Sequence, residues 1–154
     1  MNKYCSPVIF TLIALLTFSS CKEESVPFGQ VPGFPSTVYY RKGNRTGITI
    51  RSKSNIYWRL TSMAFQGHKI QDELWDTFPG LSYQSNIPKA TDESLDHLAG
   101  IYKVQYNWFT WERLNDTSIK IVLKPNMTKK DRVLKFFLTG DTGQEMVKVV
   151  QKAD

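Results

Sequence analysis

The chain is predicted to be an all-β domain of antiparallel strands, on three observations. Short stretches in which apolar and polar residues alternate recur from Val38 to Gln151. Turn-forming residues separate them, at Gly43-Asn44, Asn115-Asp116, Pro125-Asn126 and Gly140-Asp141-Thr142-Gly143. Once a leader and a linker are set aside, the remaining length suits one domain with a real core. Alternating strands with regular turn signals fit a sandwich or a barrel.

The amino-terminal stretch reads as a secretory signal over residues 1–20. Lys3 supplies the positive start, and the uncharged run from Val8 to Phe18 is too short to span a bilayer, where about 20 residues are needed. Phe18-Ser19-Ser20-Cys21 resembles a lipobox, with Phe18 where Leu is commoner, so Cys21 is the expected lipidation site. Cys5 falls within the signal, which leaves Cys21 as the lone mature cysteine and rules out an intrachain disulfide. A diacylglycerol on its sulfur explains that lone thiol, and two or more acyl chains hold stably in a membrane. Lys22, Glu23 and Glu24 follow, resembling the Lys and two acids that mark surface export of lipoproteins in Bacteroidetes-type bacteria. The expected location is therefore the outer membrane, lipid-anchored and facing outward. Residues 21–36 read as a lipidated tether, because Pro27, Gly29, Pro32, Gly33 and Pro35 punctuate them too densely for helix or strand.

The domain is expected over 37–154. Ile48 and Ile50 share a face, as do Ile56, Trp58 and Leu60 opposite Tyr57, Arg59 and Thr61. Further along, Ile119, Ile121 and Leu123 point inward, then Leu134, Phe136 and Leu138, and finally Val147 and Val149. Residues 62–100 break this rhythm and read as one long insertion between strands. Thr91-Asp92-Glu93 before Leu95, Leu98 and Gly100 predicts a short helix there, capped by Thr91 and stopped by Gly100. Long loops in compact domains are often functional.

The second half carries a family pattern. Trp58 leads to Trp108 and Trp111, then to residues 118–128 ending Lys124-Pro125-Asn126-Met127-Thr128, to Arg132 opening a strand, and to Val149-Val150-Gln151. This resembles the BACON domain, an immunoglobulin-like module associated with Bacteroidetes. The match is clear over roughly 107–152 and looser over 37–61, and the insertion has no counterpart in short members. The resemblance implies an immunoglobulin-like β-sandwich that binds glycan or mucin, or that serves as a spacer in glycan-degrading proteins.

Catalysis finds little support. His68 and His97 are the only histidines, both in the insertion, and neither has a sequence neighbour in ligand geometry beyond the loop acids Asp72 and Glu73. No metal site, cofactor or marked carboxylate pair stands out, so a non-enzyme is expected. The net charge of +6 is scattered in ones and twos, and Lys129-Lys130-Asp131-Arg132 is too short to argue for nucleic acid.

Aromatic residues make up 13% of the chain, which makes their placement the deciding question. Trp58 aligns with core residues. If 101–111 is one straight strand, Tyr102, Val104, Tyr106 and Trp108 face the core, while Lys103, Gln105, Asn107, Phe109 and Trp111 face solvent. A bulge between Asn107 and Trp111 would swap the last assignment. On the straight reading Trp111 is a sugar-stacking platform, with Trp75 and Tyr83 of the insertion as a second wall; alternatively these two pack the insertion down as a lid. The expected partners are thus the membrane, through lipid on Cys21, and a glycan or mucin. The alternative is a structural spacer or protein-interaction subunit of an outer-membrane complex.

Overall fold

A computed structural model describes residues 29–89 and 95–153. Ten strands form two five-stranded sheets. In chain order they are β1 (Thr37–Tyr40), β2 (Ile48–Arg51), β3 (Arg59–Phe65), β4 (His68–Ile70), β5 (Ser82–Ser85), β6 (Ile101–Tyr106), β7 (Phe109–Asn115), β8 (Ser118–Leu123), β9 (Arg132–Thr139) and β10 (Gln144–Gln151). The first sheet runs β1-β10-β9-β3-β4 and the second β2-β8-β7-β6-β5. All neighbours are antiparallel except β1, which lies parallel to β10. The chain is an all-β sandwich.

The core is the set of inward side chains that alternation selects. Ile119, Ile121, Leu134, Phe136, Leu138, Val147 and Val149 are all fully buried. Through its middle runs a line of edge-to-face rings, Phe34 to Trp58 at 5.5 Å, Trp58 to Trp111 at 6.2 Å and Trp111 to Phe136 at 6.0 Å. Such contacts contribute about 0.5–1.5 kcal/mol each beyond the area they bury. Trp58 is in the core as expected, although β3 begins only at Arg59, one residue later.

Three expectations change. Residues 101–111 are not one strand but a hairpin, with Asn107 and Trp108 at its turn and Tyr106 paired to Phe109. Cross-strand partners point the same way, so Trp111, opposite Val104, joins the core face. The two-residue turn, rather than a bulge, resets the alternation.

Residues 62–100 carry a short helix, α1 (Leu74–Thr77), and a 3-10 turn at Asp96–Gly100. They also supply structure that alternation did not show. β3 runs on to Phe65, β4 forms an edge of the first sheet and β5 an edge of the second. Where a helix was expected, the described residues form a 3-10 turn that begins at Asp96 with Leu95 non-helical before it, and Thr91, Asp92 and Glu93 lie outside the described residues.

Finally, the described part of the expected tether, residues 29–36, packs on the domain. Gly33 and Phe34 donate backbone N–H bonds to the two carboxylate oxygens of Glu145, at 3.1 and 3.3 Å. The Pro32 carbonyl accepts from Ser54 N and Oγ, at 3.1 and 2.9 Å. Phe34 is buried against Trp58. At Gly29 a Cβ would land 1.5 Å from the Thr142 carbonyl oxygen, so only glycine allows this approach. Residues 29–36 therefore belong to the domain.

Candidate functional site

The residues singled out from sequence go to different places. Trp111 is 0% exposed, locked between Trp58 and Phe136. A ring without solvent access cannot stack on a sugar, so the platform expected there is corrected to a core residue. Trp75 and Tyr83 do meet, with ring centroids 6.2 Å apart, but Trp75 is 2% exposed. Together they pin α1 onto the edge of the second sheet, which is the lid arrangement. Cys21, Lys22, Glu23 and Glu24 lie outside the described residues.

Around that lid sits a polar cluster. The Tyr83 hydroxyl donates to Asp76 Oδ1 at 2.6 Å, Lys89 Nζ donates to Oδ2 at 2.7 Å, and His97 Nε2 lies 3.6 Å from Oδ2. The hydrogen bond from Lys89, then that from Tyr83, hold the Asp76 carboxyl below the usual aspartate range. Burial, then the Asp76 carboxylate, push the Tyr83 phenol well above the usual range for tyrosine. His97 is buried and stacked on Tyr83. These bonds tie α1, β5 and the 3-10 turn to one another. Among the described residues no three His, Cys, Asp or Glu side chains gather as metal ligands would.

A more open site lies at the end of the sandwich, where β6 begins and β7 turns into β8. It is a cleft of about 480 Å³ bordered by Tyr57, Asn86, Tyr102, Arg113, Asn115 and Asp116. That volume falls within the range of small-molecule sites. Tyr57 is 55% exposed and Tyr102 37%. Tyr102 has the inward parity of Val104, but the β5–β6 register shifts between Gln84 and Ser85 beside it, and Ile101 is buried there in its place. In the same cleft Arg113 is held from several sides. It donates to the Trp58 carbonyl at 2.8 Å and to Asp116 Oδ1 at 2.6 Å, and its guanidinium lies 4.2 Å from the centre of the Trp58 ring. Trp58 Nε1 in turn donates to the Asp116 carbonyl at 2.7 Å, which fixes the β7–β8 turn against the core. Gly100 forms part of the wall, where a Cβ would sit 2.3 Å from the Asn86 side chain.

This mouth was missed from sequence because its parts come from four separated segments. The available signals were Tyr57 alternating away from Trp58, and an Arg-x-x-Asp pair spanning a turn at Asn115-Asp116. Neither shows that the other is near.

Fold and site together define an all-β sandwich with a ligand-sized mouth. No protein-family model matches the sequence, and no curated protein matches it. A solved structure described as "NMR structure of the protein from Bacteroides thetaiotaomicron" is similar over 83% of this chain and 93% of that chain, with a TM-score of 0.49 and 12% sequence identity.

Proposed function

We propose that this chain is a lipid-anchored, outward-facing outer-membrane protein whose non-catalytic sandwich, of the BACON-like kind that residues 107–152 resemble, binds glycan at its mouth or supports a glycan-handling complex. One observation carries the binding reading: two exposed tyrosine rings border the same cleft as an Arg113–Asp116 pair already fixed in place. Sugar rings present C–H faces to aromatic planes and hydroxyls to charges and amides. Asn86 and Asn115 border the same cleft and add amide groups. Preorganisation matters because side chains that are already ordered lose little entropy on binding. Among the described residues the cleft is bordered by a single carboxylate, Asp116, and that one is engaged by Arg113. Glycoside hydrolysis ordinarily needs two. The anchor and the location rest on Phe18-Ser19-Ser20-Cys21 and on Lys22-Glu23-Glu24.

Open sites of this kind bind weakly, so the test must register a dissociation constant near 1 mM, about −4 kcal/mol. A glycan panel is screened first, followed by titration of tryptophan fluorescence, for which Trp58 beneath Arg113 is the reporter. Tyr102→Ala and Tyr57→Ala are expected to abolish binding with the melting temperature unchanged. If no glycan binds at millimolar concentration, the spacer or interaction-subunit reading replaces this one. For the anchor, Cys21→Ala should move the protein into the aqueous phase on detergent partitioning. Equal partitioning of wild type and variant into that phase would sink the lipoprotein reading.

A further inference from the structure

The outward faces of the two sheets differ in charge. On the second sheet the register aligns Thr49, Lys120, Glu112, Lys103 and Gln84 in a row across all five strands. Its charges alternate in sign, with Glu112 between Lys120 and Lys103. On the first sheet the corresponding row is Thr37, Lys148, Lys135, Ala64 and Lys69. Lys148 stands directly opposite Lys135 on the adjacent strand, and Lys69 lies two strands beyond. Like charges directly opposite each other are destabilising.

Among the described residues no carboxylate is paired with these lysines. The first sheet contains a single carboxylate, Glu145, whose oxygens are engaged by the backbone of Gly33 and Phe34. Among the described residues Lys69, Lys135 and Lys148 have no salt bridge. Asp131 is taken by Lys152, while Asp72 and Asp96 lie beside Arg59 at the end of β3, around a smaller cleft. Next to the lysine row the Phe137 ring points outward with Lys69 Nζ 5.9 Å from its centre. Beyond it, Thr61, Thr139 and Gln144 form a cluster of hydroxyls and an amide, linked at 3.1–3.5 Å.

From this charge pattern we infer that the outer face of the first sheet binds a linear anionic polysaccharide, lying across the strands along Lys148, Lys135 and Lys69. Sulfate or carboxylate groups supply the missing counter-charges, the Phe137 ring offers an apolar contact for a sugar face, and the hydroxyl and amide cluster meets its hydroxyls. A single line of cations beside such groups fits a chain-like ligand better than the broad plane of a membrane. The site lies on the outer surface of the first sheet, apart from the sandwich mouth, and holds whether or not the mouth binds glycan.

The probes are dextran sulfate and polygalacturonate, with neutral dextran and anionic phospholipid vesicles as comparisons, titrated against the full chain in neutral detergent. Both acidic polymers should bind, neutral dextran should not, and affinity should fall as salt rises. Lys135→Gln with Lys148→Gln should weaken binding about tenfold, from the loss of two ion contacts. Lys103→Gln with Lys120→Gln removes the same charge from the other face and should change affinity less than about twofold. Equal losses from the two double variants would mean that binding follows net charge alone, and would overturn the proposal. Binding to the vesicles but to neither acidic polymer would overturn it as well.

Discussion

Two sets of aromatic residues sit a few ångströms apart and do opposite jobs. The line Phe34, Trp58, Trp111 and Phe136 is sealed between the sheets, while Tyr57 and Tyr102 stand at the mouth with their rings open to solvent. Arg113 joins them, with its guanidinium over Trp58 and its edge in the cleft. The tryptophans belong to the sealed core and the tyrosines border the open cleft. Aromatic content therefore indicates a binding surface only once burial has divided it.

The sharpest way to break this division is at its buried end. Trp111→Ala should destabilise the domain by about 3–5 kcal/mol, read by urea denaturation. Trp111→Phe should cost much less, because the indole N–H has no hydrogen-bond partner to lose. Tyr102→Ala, by contrast, should stay within about 0.5 kcal/mol of wild type. A small loss at Trp111 together with a large one at Tyr102 would reverse the two assignments.

Phe34 tests where the buried line begins. Phe34→Ala should cost about 3 kcal/mol, since the ring closes one end of the sandwich against Trp58. A fragment beginning at residue 37 should melt below one beginning at residue 29. Matching melting temperatures would return residues 29–36 to the tether.

The polar lid is a weaker element with a pH signature. Because Asp76 has a folded-state pKa below its ordinary value of 3.8, its ionised form stabilises the fold fully above that pH. That contribution disappears as pH falls through the lower, folded value. Asp76→Asn should cost about 1 kcal/mol at neutral pH. The variant should also lose less stability than wild type on acidification below about 3.8, the ordinary aspartate value. Parallel pH profiles for the two proteins would remove Asp76 from the lid.

The smallest effect belongs to the lysine row. Lys148→Glu converts a like-charge pair with Lys135 into an opposite-charge pair and should stabilise by about 0.5 kcal/mol at low salt. The gain should vanish at 1 M salt, where screening acts within about 3 Å.

Much of the fold was legible because alternation is a local property. The inward sets at 119–123, 134–138 and 147–149 needed only the parity of each strand, and parity survives any arrangement of neighbours. The polar edge strands β4 and β5 were not legible: their sequences, His68–Ile70 and Ser82–Ser85, are short and largely hydrophilic, as edges often are. Trp111 was misplaced for a related reason. Parity holds only within one strand, and the turn at Asn107-Trp108 lacks the Asn-Gly signature that announces most two-residue hairpins.

What the sequence determined by itself was the class of fold, the strands from Ser118 onward, and the expectation of a lipidated leader, since each rests on a short run of neighbouring residues. Only the tertiary structure decided which aromatic rings meet solvent, how Tyr57, Tyr102 and Arg113 come to border one cleft, and that three lysines share one row without a carboxylate. Those features depend on strand order and register, which are set by the packing of distant segments around the Trp58–Trp111 core. A chain read residue by residue carries no measure of that distance.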